Sequence, residues 1–138
     1  MHKSMGCMTS WWSTDQLANL AGVSKRQLQW WDERGYVIAD RWQYRRRYTR
    51  RTALAAMILG EVLRKRFPHR AAGELAHRIQ HLGFPLPDDS WLVVIQAGRR
   101  YRLYSAQGHD GLTGMLCAAA GPMWVIDMER LERRLGNS

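Results

Sequence analysis

Leu17, Leu20 and Ala21 are the first apolar positions to share one side of a helix at 3.6 residues per turn. Ser13 or Thr14 stands where an N-cap hydroxyl belongs, and Gly22 follows the last periodic residue, where a positive φ turns the chain without a Cβ clash. A second short helix restarts at Ser24, buries Leu28 and Trp31 at i, i+3, and stops at Gly35. The pattern then changes. Tyr36-Val37-Ile38 are β-formers, and Asp40 to Tyr48 reads as a β-hairpin, with Trp42, Tyr44 and Tyr48 expected to anchor it on the core. Beyond it, Leu54, Met57, Ile58, Leu59, Val62 and Leu63 predict a long helix from Thr49 or Thr52 to about Arg66. Phe67-Pro68 interrupts that helix, because proline bars the residue before it from the α region. A fourth helix follows from His69 or Arg70 to Leu82, striped by Ala72, Leu75, Ala76, Ile79 and Leu82.

After Leu82 the helical periodicity ends. Gly83 to Asp89 carries prolines and acids and reads as a linker over residues 83–90. Strand patterns follow at Trp91 to Ile95 and Tyr101 to Tyr104 around an Ala97 to Arg100 turn, then a Gly-rich loop, a strand from Met123 to Ile126, and a helix from Asp127 with Met128, Leu131 and Leu135 on one face. The expected fold class is therefore α+β, with a flexible tail at 1–12, four helices and a β wing at 13–82, and a small αβ module at 91–138. A module of about 50 residues lies near the lower limit of independent stability, so it is expected to pack on the first half, to dimerise, or both. Trp91 to Ile95 is read as the core of that module rather than as a pairing edge.

Charge divides the chain at the same place. Lys and Arg number 21 against 12 Asp and Glu, a formal net charge of +9 with pI near 10.4. Residues 1–70 hold 14 basic and 5 acidic side chains, whereas residues 71–138 hold 7 of each. The first half is thus suited to a polyanion and the second to another task. No apolar run approaches the ~18 residues of a membrane span, and Cys7 and Cys117 have no metal-type spacing. A cytoplasmic protein is expected.

A helix, a Gly-centred turn, a second helix and an arginine run, in that order, make a helix-turn-helix with a basic wing. The early residues of the second helix reach base edges in the major groove in such proteins, and its amide-rich N-terminus favours phosphate. Arg26 suits guanine and Gln29 suits adenine, while Lys25 suits phosphate. The expected DNA contacts are Thr14, Lys25, Arg26, Gln27, Gln29 and Trp30, with Arg41, Arg45, Arg46, Arg47 and Tyr48 from the wing.

Leu17-Ala18, Gly22-Val23-Ser24, Arg26, Leu28, Gly35 and Arg46-Arg47-Tyr48-Thr49 carry a resemblance to the DNA-binding domain of the MerR family of bacterial regulators, over about Ser13 to Leu82. The resemblance implies a winged helix-turn-helix whose third and fourth helices support the wing, and a transcriptional regulator of the nucleoid. Gln27, Gln29, Trp30-Trp31 and Asp32 stand where the family pattern has Thr, Arg, Tyr-Tyr and Glu. No long dimerisation helix with heptads follows, so any controlling small molecule or protein enters through the αβ module.

Catalytic chemistry finds little in the pattern. His77 and His81 are i, i+4 but lack the His-Glu-x-x-His arrangement and are expected to face solvent. Cys117 in an apolar run is expected to be a buried, inert thiol. Gly108, Gly111 and Gly114 have neither the spacing nor the following Lys of a phosphate loop. No enzyme activity and no cofactor are expected. The partners are double-stranded DNA and, since such regulators bind paired half-sites, a second copy. Two other tasks fit the same residues, an excisionase-like factor that bends DNA, and an adaptor whose αβ module binds a partner.

Overall fold

Ser13 closes a capping box: its Oγ accepts the Gln16 N–H at 3.1 Å, and the Gln16 side chain accepts the Ser13 N–H at 2.9 Å. The computed structural model describes residues 11–84 and 86–136, and helix α1 begins at this cap (Thr14–Ala21). Gly22 ends it at φ 70°. Ser24 then accepts the Gln27 N–H at 3.0 Å and starts α2 (Lys25–Arg34), which Gly35 ends at φ 77°. Leu17, Leu28 and Trp31 are fully buried between these helices, while Leu20 is only partly so.

The first sheet is larger than its pattern predicts. Trp11–Ser13 forms a strand, β1, which pairs with β3 (Arg45–Thr49), and β3 pairs in turn with β2 (Asp40–Trp42). Trp11 and Trp12 are therefore sheet residues and not tail; the rest of the expected tail, with Cys7, lies outside the described residues. The hairpin starts at Asp40, four residues later than the β-forming run. Helix α3 (Arg50–Arg64), capped by Thr49, buries every residue from Ala53 to Val62. Its small residues allow neighbours on all sides. Gly60 has the closest approach, since a Cβ there would collide with the Ala21 carbonyl. A 3-10 turn (His69–Ala71) leads into α4 (Ala72–Gln80).

The second half shares the core of the first. Strand β4 (Ser90–Ala97) lies between β5 (Arg100–Gln107) and β6 (Met123–Asp127), so the apolar run at 91–95 is a central strand and not an edge. The free edge of β5 meets α4, where the Tyr101 N–H donates to Glu74 Oε2 at 2.9 Å. That side of the sheet buries Leu92, Val94, Tyr101 and Ile126 with the first half's core, and the helix α6 (Met128–Gly136) adds Met128, Leu131 and Leu135. The expected linker is not detached either, because Phe84 and Leu86 pack on the same core and Ser90 is already buried in β4. The Gly-rich segment is a helix, α5 (Gly108–Ala118), rather than a loop: only Gly108 takes a positive φ, while Gly111 and Gly114 are helical. Cys117 on this helix is exposed, contrary to the burial its apolar neighbours predict.

Candidate nucleic-acid interface

Period-two alternation sorts the arginine run. In β3, Arg46 and Tyr48 point to one face and Arg45 and Arg47 to the other. Arg41 lies directly opposite Arg46, and Trp12 opposite Tyr48, so these share the inner face. Tyr48 is fully buried there, beside the Thr14 side chain. Burial pushes the phenol up, with the Thr14 hydroxyl acting the other way. Of the expected DNA contacts, Tyr48 is thus a core side chain and Thr14 is half-buried beside it.

Asp32, near the end of α2, gathers the inner face. Its carboxylate accepts from Arg46 Nε at 2.7 Å, from Arg41 Nη2 at 3.0 Å and from the Ala39 N–H at 2.9 Å. Burial opposes its ionisation, but these donors outweigh burial and hold the carboxyl below its ordinary value. The same bond raises Arg46. Arg41 and Arg46 therefore fix the β2–β3 hairpin to α2, a role their place in a charge run does not reveal.

The outer face carries different chemistry. The Arg47 guanidinium lies 3.7 Å from the centroid of Trp11 and 5.3 Å from that of Trp42, a cation–π stack. Arg45 is exposed and has no acidic partner among the described residues. At the hairpin tip Gln43 and Tyr44 both have positive φ, 50° and 65°, the two-residue turn that normally takes Asn-Gly. This conformation costs about 1–2 kcal/mol for a side-chain-bearing residue, and it projects Tyr44 wholly into solvent, with Trp42 half exposed beside it. Of the three aromatics expected to anchor the wing, only Tyr48 does so.

On α2 the outward residues are Lys25, Arg26, Gln29 and Trp30, with Gln27 half-buried. Lys25 pairs with Asp15 at 3.1 Å, a solvent-exposed contact of small worth that phosphate can displace. Arg34 stacks 4.5 Å from the Trp30 ring, and Tyr36 meets the same ring edge-on at 5.7 Å. A concavity of about 370 Å³ joins Arg26, Gln27 and Trp30 to His69. Exposed Arg66 and Arg70, on either side of His69 in the chain, add basic side chains beyond the residues the sequence pattern singles out. Their signal was the basic composition of the 64–70 turn.

The turn between α1 and α2 is braced from behind. Arg64 donates to the Ala21 carbonyl and Arg134 of α6 to the Leu20 carbonyl, both at 2.6 Å, so two arginines satisfy orphan C=O groups at the end of α1. Glu61 holds Arg64 at 2.9 Å and Lys65 at 3.3 Å, and it pairs with Arg130 of α6. Burial raises this carboxyl, yet hydrogen bonds from Lys65 and Arg130 leave it below its ordinary value. Lys65 reaches on to the Val125 carbonyl at 3.0 Å, and Trp124 returns a bond to the Lys65 carbonyl at 2.9 Å.

His77 and His81 are exposed, their rings 4.6 Å apart, and no group of three or more metal-ligating side chains occurs among the described residues. No helix among them is long and apolar enough to cross a membrane. No curated protein matches the chain in sequence. Residues 12–79, which include both helices of the turn, the wing and the supporting pair, match the MerR HTH family of regulatory proteins. These residues form a MerR-type DNA-binding domain.

Proposed function

We propose that this protein is a sequence-specific transcriptional regulator that lays α2 in the major groove and sets the outer face of its wing against the flanking backbone. One observation carries the reading: the outward side of α2 is exposed and polar at Lys25, Arg26 and Gln29, while its other side is wholly committed to the core through Leu28 and Trp31. Arg26 and Gln29 read bases, and Lys25, Arg45 and Arg47 neutralise phosphate. It acts without catalysis of its own, in the cytoplasm, as a homodimer on paired half-sites.

The test is random-pool DNA selection with the purified protein, followed by salt titration on the enriched site. Log affinity should fall with log salt by about 0.9 per phosphate contacted. Arg26→Ala should weaken the enriched site by roughly 1–3 kcal/mol and random DNA by less. Equal loss on both sequences makes Arg26 a backbone contact, and a pool without enrichment removes sequence specificity.

The exposed aromatic wing tip favours a second reading, a factor that bends DNA. Apolar wedges that enter a minor groove unstack base steps and kink the duplex. A fluorescence-transfer bending assay separates the two: a bend lost in Tyr44→Ala supports the architectural role, and straight DNA excludes it.

A further inference from the structure

The sheet of the second half buries one face and leaves the other half-covered. Trp91, Val93, Ile95 and Ala97 of β4 alternate onto that outer face, opposite Ala106, Tyr104, Arg102 and Arg100 of β5. Helix α5 crosses only one end of it, burying Leu112 alone of its own side chains and leaving Leu116 exposed. Between the C-terminal end of α5 and the sheet lies a groove of about 930 Å³ lined by Ile95, Tyr104, Met115, Ala118 and Pro122, with no charged side chain in its wall. Its size falls within the range of small-molecule pockets.

Tyr104 also lines a second concavity of about 300 Å³, formed with Arg78, Arg100 and Arg102. The apolar groove and the cationic pocket therefore meet at one side chain. Arg102 lies directly opposite Ile95 in the ladder, so a guanidinium stands on the same face as the apolar floor. Arg100 and Arg102 have no carboxylate partner among the described residues; Arg78 has a long contact with Glu74 at 3.5 Å, and its Nε is buried and unbonded.

We propose that this paired site binds a small amphipathic organic anion, with its hydrocarbon body in the groove and its carboxylate on Arg100 and Arg102. An uncharged apolar ligand would leave the guanidiniums unused, and a bare inorganic anion would leave the groove open to water. A second copy of this chain fits less well, because its own Arg100 and Arg102 would be brought toward the same cationic rim. The site does not depend on the DNA-binding reading.

The test is isothermal titration calorimetry of the full chain, without DNA, using sodium octanoate, 1-octanol and sodium acetate. Octanoate should bind saturably at one site per chain, octanol roughly ten- to a hundredfold more weakly, and acetate not measurably. Arg102→Gln, an exposed change that spares the core, should bring octanoate to the level of octanol and leave octanol unchanged. Ala118→Trp should fill the groove and abolish both. Equal binding of octanoate and octanol, acetate binding as tight as octanoate, or an Arg102→Gln variant that binds octanoate normally would each overturn the proposal. So would a dimer that Leu116→Glu dissociates in the absence of octanoate affinity, which would assign the groove to a second copy.

Discussion

Asp32 and Glu61 are carboxylates with nearly identical exposure, 5% and 6% of the side chain, and each holds two or more cations. Their partners set them apart. Everything Asp32 binds, the Ala39 amide, Arg41 and Arg46, lies within fourteen residues of it and belongs to the wing or its approach. Glu61 reaches Arg64 on its own helix, Lys65 at that helix's C-cap, and Arg130, sixty-nine residues away, on α6. Arg64 and Lys65 then bond the Ala21 and Val125 carbonyls. One carboxylate fixes the β2–β3 hairpin to α2; the other joins the helix-turn-helix to the second half. The same chemistry thus sets local aim in one place and whole-molecule assembly in the other.

The largest way to break this comparison is Glu61→Gln. Removing one partner of a buried ion cluster typically costs about 3–5 kcal/mol. Here the three cations remain 42–48% exposed and can rehydrate, so about 2–3 kcal/mol is expected. Thermal unfolding should fall by roughly 10 °C, while DNA affinity well below the transition stays within about threefold of the parent. A tenfold loss of affinity in a fully folded variant would make Glu61 part of the interface geometry.

Asp32→Asn should do the reverse. The amide cannot hold two guanidiniums, and the expected stability cost is only about 1–2 kcal/mol. Its effect on DNA should be larger than that of Glu61→Gln and mixed in sign. Arg41 and Arg46 become available to phosphate, so random DNA should bind as well or better and with a steeper salt dependence. The enriched site should lose its advantage because the wing is no longer aimed. Unchanged discrimination between the two sequences would show that the wing does not need this tether.

Neither hub is legible from sequence, because each depends on a contact that only folding creates. Local chemistry was readable: Ser13, Ser24, Gly22 and Gly35 cap and stop their helices by interactions within a few residues. Strand β1 was not, since three residues carry no period and their partner strand begins more than thirty positions later. Glycine content hid α5, although Gly111 and Gly114 are both helical. At the candidate interface the outward residues of α2 followed from helical spacing alone. The wing arginines needed one further step: a buried Tyr48 puts Arg46 inward and Arg45 and Arg47 outward by alternation.

Acid should act on both hubs alike. Both carboxyls sit below their ordinary values, 3.8 for Asp32 and 4.5 for Glu61. A depressed carboxyl stabilises the fold fully above its unfolded value, and that contribution disappears as pH falls through its folded one. Urea midpoints should therefore hold near pH 6 and decline below the ordinary carboxylate range. Glu61→Gln and Asp32→Asn should each flatten the decline, because each removes one group that must be protonated. A variant with the parent's full acid slope would show that its carboxyl is not among the groups that unfold the protein.

The smallest effect, and the sharpest test of alternation, comes from neighbouring arginines. Arg45 faces solvent on the outer side of β3, and Arg46 faces Asp32 on the inner side. Arg45→Ala should leave thermal unfolding unchanged and lower the salt slope by about 0.9, one phosphate contact. Arg46→Ala should lower stability by about 1–2 kcal/mol, because it leaves Asp32 buried with one fewer donor, and should leave the slope near the parent value. Measured together by thermal melts and salt-dependent anisotropy, the two variants differ only in which face of one strand they occupy. If both reduce the slope alike, Arg46 leaves Asp32 for DNA on binding, and the Asp32 hub is a resting latch rather than a fixed brace.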